Sequence, residues 1–185
     1  MDSIEARARI GNPESNPRSP GNLAGMHDLY DQRVTRKIGV LCLSETCSDI
    51  LMWSHYADSH RGICLKFCAT GNVFETSQPV RYSKSRPVIN PVNQTQDEML
   101  DHAIFTKSEH WLYEQEWRLI QYKKGAGIYR VPRNDLVGIV LGAQISKPDK
   151  DDVLSWVKET EQPLVVYQAI VSSTNFELEI DELRT

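Results

Sequence analysis

The segment that decides the fold reads Met52-Trp53-Ser54-His55-Tyr56-Ala57-Asp58-Ser59-His60-Arg61-Gly62-Ile63-Cys64-Leu65. Ser48 and Asp49 precede it, and residues of these types cap helix N-termini, so a short helix is predicted over residues 50–57. Residues 58–62 are polar and end in glycine, which predicts a turn. The apolar run over residues 63–67 then predicts a strand. The segment is therefore expected to form a helix–turn–strand unit.

Apolar and alternating runs elsewhere in the chain predict further strands, and turn-forming residues separate them. Strands are expected at residues 38–43, 79–83, 116–122, 136–141, 163–171 and 176–180, and at 128–131 after a turn at 125–127. Helices are expected from about residue 96 to 109 and from residue 147 through 157. Seven or eight strands and three or four helices, without regular βαβ alternation, predict an α+β fold with a mostly antiparallel, mixed sheet and helices on its faces.

The N-terminal stretch differs in composition from the rest. Residues 1–25 contain three of the nine prolines, and residues 12–22 show no apolar period, so residues 1–25 are expected to form a flexible tail or linker. A short helix is expected over residues 26–33. Residues 26–185 are then expected to form a single α+β domain, which at this length needs neither disulfides nor a structural metal for stability.

Composition excludes several classes of protein. The 185 residues are 40% apolar and 25% charged with a net charge of −4, which excludes a generally basic nucleic-acid coat but not a local basic groove. No run approaches the roughly 18 apolar residues of a membrane span, and residues 1–5 do not resemble the apolar region of a secretory leader, so a cytoplasmic protein without membrane contact is expected. The fingerprints of dinucleotide-binding folds, P-loops, serine hydrolases and zinc peptidases are absent from the sequence.

The four cysteines raise the question of a metal site. Cys42 and Cys47 are separated by four intervening residues, and Cys64 and Cys68 by three. Structural zinc usually takes tight C-x-x-C knuckles in turns, whereas Cys42 and Cys64 lie in strand-like apolar runs. Free cysteine commonly behaves as a small buried hydrophobe, so no metal is expected.

A second dense cluster of polar and aromatic residues reads Trp111-Leu112-Tyr113-Glu114-Gln115-Glu116-Trp117-Arg118. Strand periodicity would place Glu114, Glu116 and Arg118 on one face, which predicts either a solvated ladder of ion pairs or a functional site. The aromatic residues of the cluster are expected to pack in the core or on a sheet face, with a base-stacking platform as the alternative.

Three shorter segments accompany these two clusters, namely Leu41-Cys42-Leu43-Ser44-Glu45, Val80-Arg81-Tyr82 and Ile139-Val140-Leu141-Gly142. Together the five segments resemble a bacterial family catalogued as domain of unknown function 2971. The resemblance covers roughly residues 38–180. Family members usually begin with a lysine-tyrosine-arginine segment and carry a later phenylalanine-asparagine-aspartate-proline motif. Neither occurs here, so the chain is expected to be truncated or diverged at its N-terminus, with residues 1–37 in place of these elements.

A weaker similarity to ADP-ribosyltransferase-like folds implies an NAD-consuming transferase or glycohydrolase, with an unidentified protein or nucleic-acid acceptor, in a toxin or phage-defence system. On that similarity Glu116 is the essential carboxylate, Tyr82 stacks on nicotinamide and His55 acts as a third catalytic residue that orients a ribose or transfers a proton. A carboxylate suits this reaction because it stabilises an oxocarbenium-like transition state. The residues expected to bind the cofactor, with arginine on its pyrophosphate, are Tyr56, His60, Arg61, Glu114 and Arg118.

Three alternatives stay open. A non-catalytic module would bind a nucleotide or nucleic acid through Arg61, Arg81, Arg86 and Arg118. A nuclease would use His55 and His60 with a carboxylate on phosphodiesters. A degenerate or regulatory subunit would have no chemistry, and its histidines would be ordinary packing and turn residues.

Overall fold

The computed structural model describes residues 3–7 as backbone, and residues 38–71, 73–90, 92–122, 124–160 and 162–183 with their side chains. One eight-stranded sheet organises this part of the chain, in the order β10-β9-β8-β3-β1-β2-β7-β4. Its strands are β1 (Ser3–Arg7), β2 (Gly39–Ser44), β3 (Ile63–Cys68), β4 (Gln78–Pro79), β7 (Glu116–Gln121), β8 (Leu136–Leu141), β9 (Val165–Val171) and β10 (Leu178–Glu182).

Neighbouring strands of this sheet are antiparallel, except that β8 and β9 are parallel. A second sheet consists of two short parallel strands, β5 (Arg81–Ser83) and β6 (Thr106–Ser108). The predicted α+β class and the mostly antiparallel, mixed sheet are therefore confirmed.

Three α-helices occur among the described residues: α1 (Ile50–Tyr56), α2 (Gln96–Phe105) and α3 (Lys147–Glu159). Each begins at a side chain that accepts a backbone N–H of its first turn, namely Asp49, Thr95 and Ser146. Such caps satisfy N–H groups that have no partner within the helix. Short 3₁₀ helices cover Val73–Thr76, Glu109–Glu114 and Arg133–Asp135. Within the described ranges, no helix combines the length and apolar character needed to cross a membrane.

The core lies on both faces of the large sheet. On one face, Val153 of α3 packs with Ile139, Leu141 and Val166 of β8 and β9. On the other face, Trp53 of α1 packs against apolar side chains that point the opposite way from the same sheet, namely Val140, Ala169 and Leu178. The alternation of side chains along each strand divides the apolar residues between α1 and α3.

Three sequence predictions differ from the structure, and a fourth is not tested by it. Ser3–Arg7, expected within a tail, forms strand β1 between β2 and β3. Residues 128–131 form no strand. The helix expected to reach residue 109 ends at Phe105, because residues 106–108 pair with β5 instead. The helix expected over 26–33 lies outside the described residues.

Candidate functional site

Helix α1 is fixed at both ends, and this positions the aromatic side chains of the Met52–Leu65 segment. The Asp49 carboxylate accepts the Met52 N–H at 2.9 Å, as the sequence predicted. The Trp53 indole N–H donates to the Cys47 carbonyl at 2.6 Å while its ring packs in the core. Tyr56, three residues on, is directed toward the segment at residues 107–116, where its hydroxyl donates to Glu114 at 2.7 Å.

The second cluster is not one continuous strand. Residues 109–114 form a 3₁₀ helix, Gln115 adopts a left-handed conformation with φ of 42°, and β7 starts at Glu116. The Ser44 hydroxyl donates to the Glu114 carbonyl at 2.7 Å, and the Glu45 N–H donates to the Gln115 carbonyl at 3.0 Å. The expected strand face of Glu114, Glu116 and Arg118 is therefore corrected, because a left-handed residue separates the two carboxylates.

The two carboxylates nevertheless meet at one ammonium group, and together with Arg118 they form what we call the buried ion-pair network (Lys107, Glu114, Glu116 and Arg118). Lys107 Nζ donates to Glu114 Oε2 and, at 2.8 Å, to Glu116 Oε2. Arg118 binds Glu116 through Nε at 2.7 Å and Nη2 at 3.0 Å, and its Nη1 donates to the Ile104 carbonyl. Glu114 and Glu116 are only 3% and 4% exposed, so a solvated ladder is excluded.

Two tyrosines attach the surrounding elements to this network. With the bond from Tyr56, all four carboxylate oxygens of Glu114 and Glu116 accept a hydrogen bond. The backbone N–H of Glu116 donates to the Tyr82 hydroxyl oxygen at 2.8 Å, which links β7 to β5. Of the three predicted catalytic residues, Tyr82 and Glu116 are therefore in contact.

The network sets the protonation of its members. Burial by itself would raise the pKa of Glu116, but hydrogen bonds from Arg118, Cys42 and Lys107 outweigh it and lower the pKa from 4.5 to about 2. The two carboxylates raise the pKa of Lys107 against the opposing effect of its burial. Burial, and then the bond to Glu114, raise the pKa of Tyr56 to about 12. At neutral pH Glu116 is therefore ionised, and Lys107 and Arg118 are protonated.

His55 belongs to a different group, the aromatic cluster of His55, Trp111 and Tyr113. The His55 ring lies 6.5 Å from both of the other two rings, which are 5.9 Å apart, measured between centroids. Trp111 connects this cluster to the network, because Lys107 Nζ lies 5.1 Å from its ring centroid. Trp111 is 38% exposed, whereas Trp117 packs against the core as predicted.

His60 and Arg61, two of the residues expected to bind a cofactor, lie in the turn after α1. His60 Nε2 is 2.9 Å from the Ser54 hydroxyl, and Arg61 forms an exposed ion pair with Asp58 at 3.0 Å. The turn is attached to the end of β8, since the His60 carbonyl accepts the Gln144 N–H at 2.9 Å. His60 thus contacts helix α1 and the segment after β8, and Arg61 contacts its own turn. Tyr56, Glu114 and Arg118 instead contact the network.

Sequence reasoning missed Lys107 and the role of Cys42. Lys107 lies on β6, outside both dense clusters, and nothing in its sequence neighbourhood indicates that it joins two buried carboxylates. Cys42 pairs with Arg118 across β2 and β7, and burial, followed by its hydrogen bond to Glu116, raises the pKa of its thiol to about 12. Among the described residues, no group of three or more His, Cys, Asp and Glu side chains is arranged to hold a metal.

Comparison with known proteins yields one finding. The model of a family described as "Protein of unknown function (DUF2971)" matches residues 52–119, a range that contains the helix–turn–strand unit, the aromatic cluster and the ion-pair network. No curated protein and no solved structure matches the chain. The family resemblance of the two dense clusters is thereby confirmed.

Proposed function

We propose that this chain, whose residues 52–119 carry a segment of the DUF2971 family, binds the planar base of a nucleotide on its aromatic cluster, with NAD as the first candidate ligand. The observation that carries the proposal is the placement of Trp111. Its ring is held by two neighbouring rings and by the Lys107 ammonium, yet it remains partly exposed.

An aromatic ring that is ordered by its neighbours and still exposed to solvent is well suited to stack on a base. A base that stacks on an aromatic side chain contributes about 1–3 kcal/mol, and an ordered ring loses little further freedom when it binds. Trp111 is ordered by Lys107, whose position is fixed by two carboxylates. The network therefore acts as a support that positions the stacking ring.

The charge balance favours a base over a phosphate backbone as the recognised group. Three arginines of the expected basic groove are already paired with carboxylates: Arg61 with Asp58, Arg81 with Asp101 and Arg118 with Glu116. Nucleic-acid affinity depends on cations that are available to phosphates. We therefore expect binding of NAD that changes little with salt, rather than binding of RNA or DNA.

The test is isothermal titration of the protein with NAD, and of the variants Trp111→Leu and Trp156→Leu. Trp156 is a matched control, since it is 60% exposed on helix α3, away from the network. Replacement of Trp111 should weaken binding by about tenfold, the equivalent of roughly 1.4 kcal/mol of lost stacking. The affinity of the control variant for NAD should change by less than about twofold. Absence of NAD binding, or equal effects of the two variants, contradicts the proposal.

Cleavage of the nicotinamide–ribose bond is a second candidate, as expected of an NAD-consuming toxin or defence protein. The observation that favours it is the position of Glu114 and Glu116, whose shared partner Lys107 lies against the Trp111 ring. Each carboxylate oxygen already accepts a hydrogen bond. Lys107 must therefore release one carboxylate before that carboxylate can stabilise an oxocarbenium-like state. Nicotinamide release, measured by chromatography in the same samples, separates binding alone from turnover.

A further inference from the structure

A groove of about 360 Å³ lies where the start of helix α3 faces strand β9. Its walls are Ala143, Ile145, Lys147, Lys150 and residues 168–171. Strand β9 is separated from β7 by β8, β3, β1 and β2, a distance of roughly 24 Å at the spacing of hydrogen-bonded strands. None of the residues that line the groove belongs to the aromatic cluster or to the ion-pair network.

Gln168 is held rigidly on the floor of this groove. Its side-chain N–H₂ group donates to the carbonyls of Gly142 at 2.9 Å, Ala169 at 3.2 Å and Leu141 at 3.4 Å. These bonds leave the amide oxygen directed at Lys150, whose Nζ donates to it at 2.9 Å. A neutral amide therefore determines where the ammonium group lies.

The two lysines of the groove differ in their available charge. Lys147 is highly exposed and pairs with Asp151 one turn along α3. Lys150 is partly buried, and no carboxylate from the residues that the structure describes forms an ion pair with it. A partly buried cation held by a neutral acceptor retains its attraction for an anion. The groove thus offers one ammonium group that has no ion-pair partner among the described residues.

The remaining walls are apolar. Ile145, Ile170 and Val171 line the groove, and the last two are strongly exposed although they belong to a sheet strand. Small-molecule sites typically combine apolar walls with a few fixed polar groups in a volume of about 300–1,000 Å³. We propose that this groove binds a small monoanionic carboxylate with an aliphatic body, its carboxylate on Lys150 and its chain along Ile145 and Ile170. A single ammonium group without an ion-pair partner among the described residues matches a monoanion better than a dianionic phosphate.

The experiment is titration of the full chain with octanoate, followed by amide NMR shifts and calorimetry, with octanamide and acetate as comparison probes. Octanoate should shift the amides of residues 143–145 and 168–171. Octanamide lacks the charge and acetate lacks the chain, so each should bind at least about tenfold more weakly, the order of one charged hydrogen bond or a few buried methylenes.

Lys150→Met should weaken octanoate binding by about tenfold, since it removes the ammonium and keeps an unbranched chain. Lys158→Met is the matched control and should change the affinity by less than about twofold, because Lys158 is exposed on the last turn of α3 and does not line the groove. Thermal unfolding of both variants shows that each remains folded. Equal binding of octanoate and octanamide, no effect of Lys150→Met, or no shift at these amides overturns the proposal.

Discussion

Replacement of Glu116 by glutamine tests whether the buried network supports the structure. The change removes one negative charge from a side chain that is 4% exposed and that accepts three hydrogen bonds from Arg118 and Lys107. It also places an amide N–H₂ group where both neighbours are donors. Arg118, whose side chain is 16% exposed, then has no counterion in the network.

The magnitude follows from the pKa of the native carboxyl. A decrease from 4.5 to about 2 corresponds to roughly 3 kcal/mol at about 1.4 kcal/mol per pKa unit. Removal of one partner from a buried ion pair independently costs about 3–5 kcal/mol. We therefore expect Glu116→Gln to lower the free energy of unfolding by about 3 kcal/mol, a large part of the roughly 5–15 kcal/mol of a typical domain.

The assay is urea unfolding at pH 7, followed by circular dichroism. Glu45→Gln serves as the matched control, because Glu45 is exposed and accepts one bond from the Trp117 indole at 3.1 Å. The control should change stability by less than about 0.5 kcal/mol. The double variant Glu116→Gln/Arg118→Met should be less destabilised than the sum of the two single variants, since it removes the unpaired cation. If Glu116→Gln alone stays within about 0.5 kcal/mol of the native protein, the reasoning is refuted.

Two further predictions concern the same segment. The pKa of Glu116 in the folded protein lies below its unfolded value, so its contribution to stability is present above pH 4.5 and is lost as the pH falls toward about 2. Urea midpoints should therefore decrease over this pH range, and the decrease should be smaller in Glu116→Gln. An equal decrease in both proteins would exclude the carboxyl as its source. Gln115→Gly should raise the free energy of unfolding by up to about 1 kcal/mol, because a φ of 42° is strained for a residue with a Cβ and the Gln115 side chain is exposed. A lower midpoint of thermal unfolding in this variant would show that the Gln115 side chain makes a stabilising contact.

Much of the fold is readable from local pattern. Asp49 before an apolar run, Lys147-Pro148-Asp149 before the Val153 face, and the apolar stretch at residues 136–141 each specify their element through capping, proline position or periodicity. The two dense clusters also identify the segment that the family model matches. These signals are short in range, so a single sequence contains them.

Other features depend on contacts between distant segments. Ser3–Arg7 alternates polar and apolar residues, but five residues are a short signal, and β2 and β3 supply the hydrogen-bonding edges on both of its sides. The extent of α2 likewise depends on β5, which recruits residues 106–108 into a parallel pair. In both cases the pairing partners lie far away in the sequence.

The candidate site shows the same division. By itself, the sequence determined which residues carry charge and aromatic surface: Glu114, Glu116 and Arg118 in one cluster, and His55 and Tyr56 in the other. Only the tertiary structure decided that Lys107 joins the two carboxylates, because Lys107 lies on β6, outside both clusters, and its ammonium group meets both side chains in the fold. Burial then fixes the charge of this network, since carboxylates removed from water are stable only when cations and hydrogen-bond donors surround them.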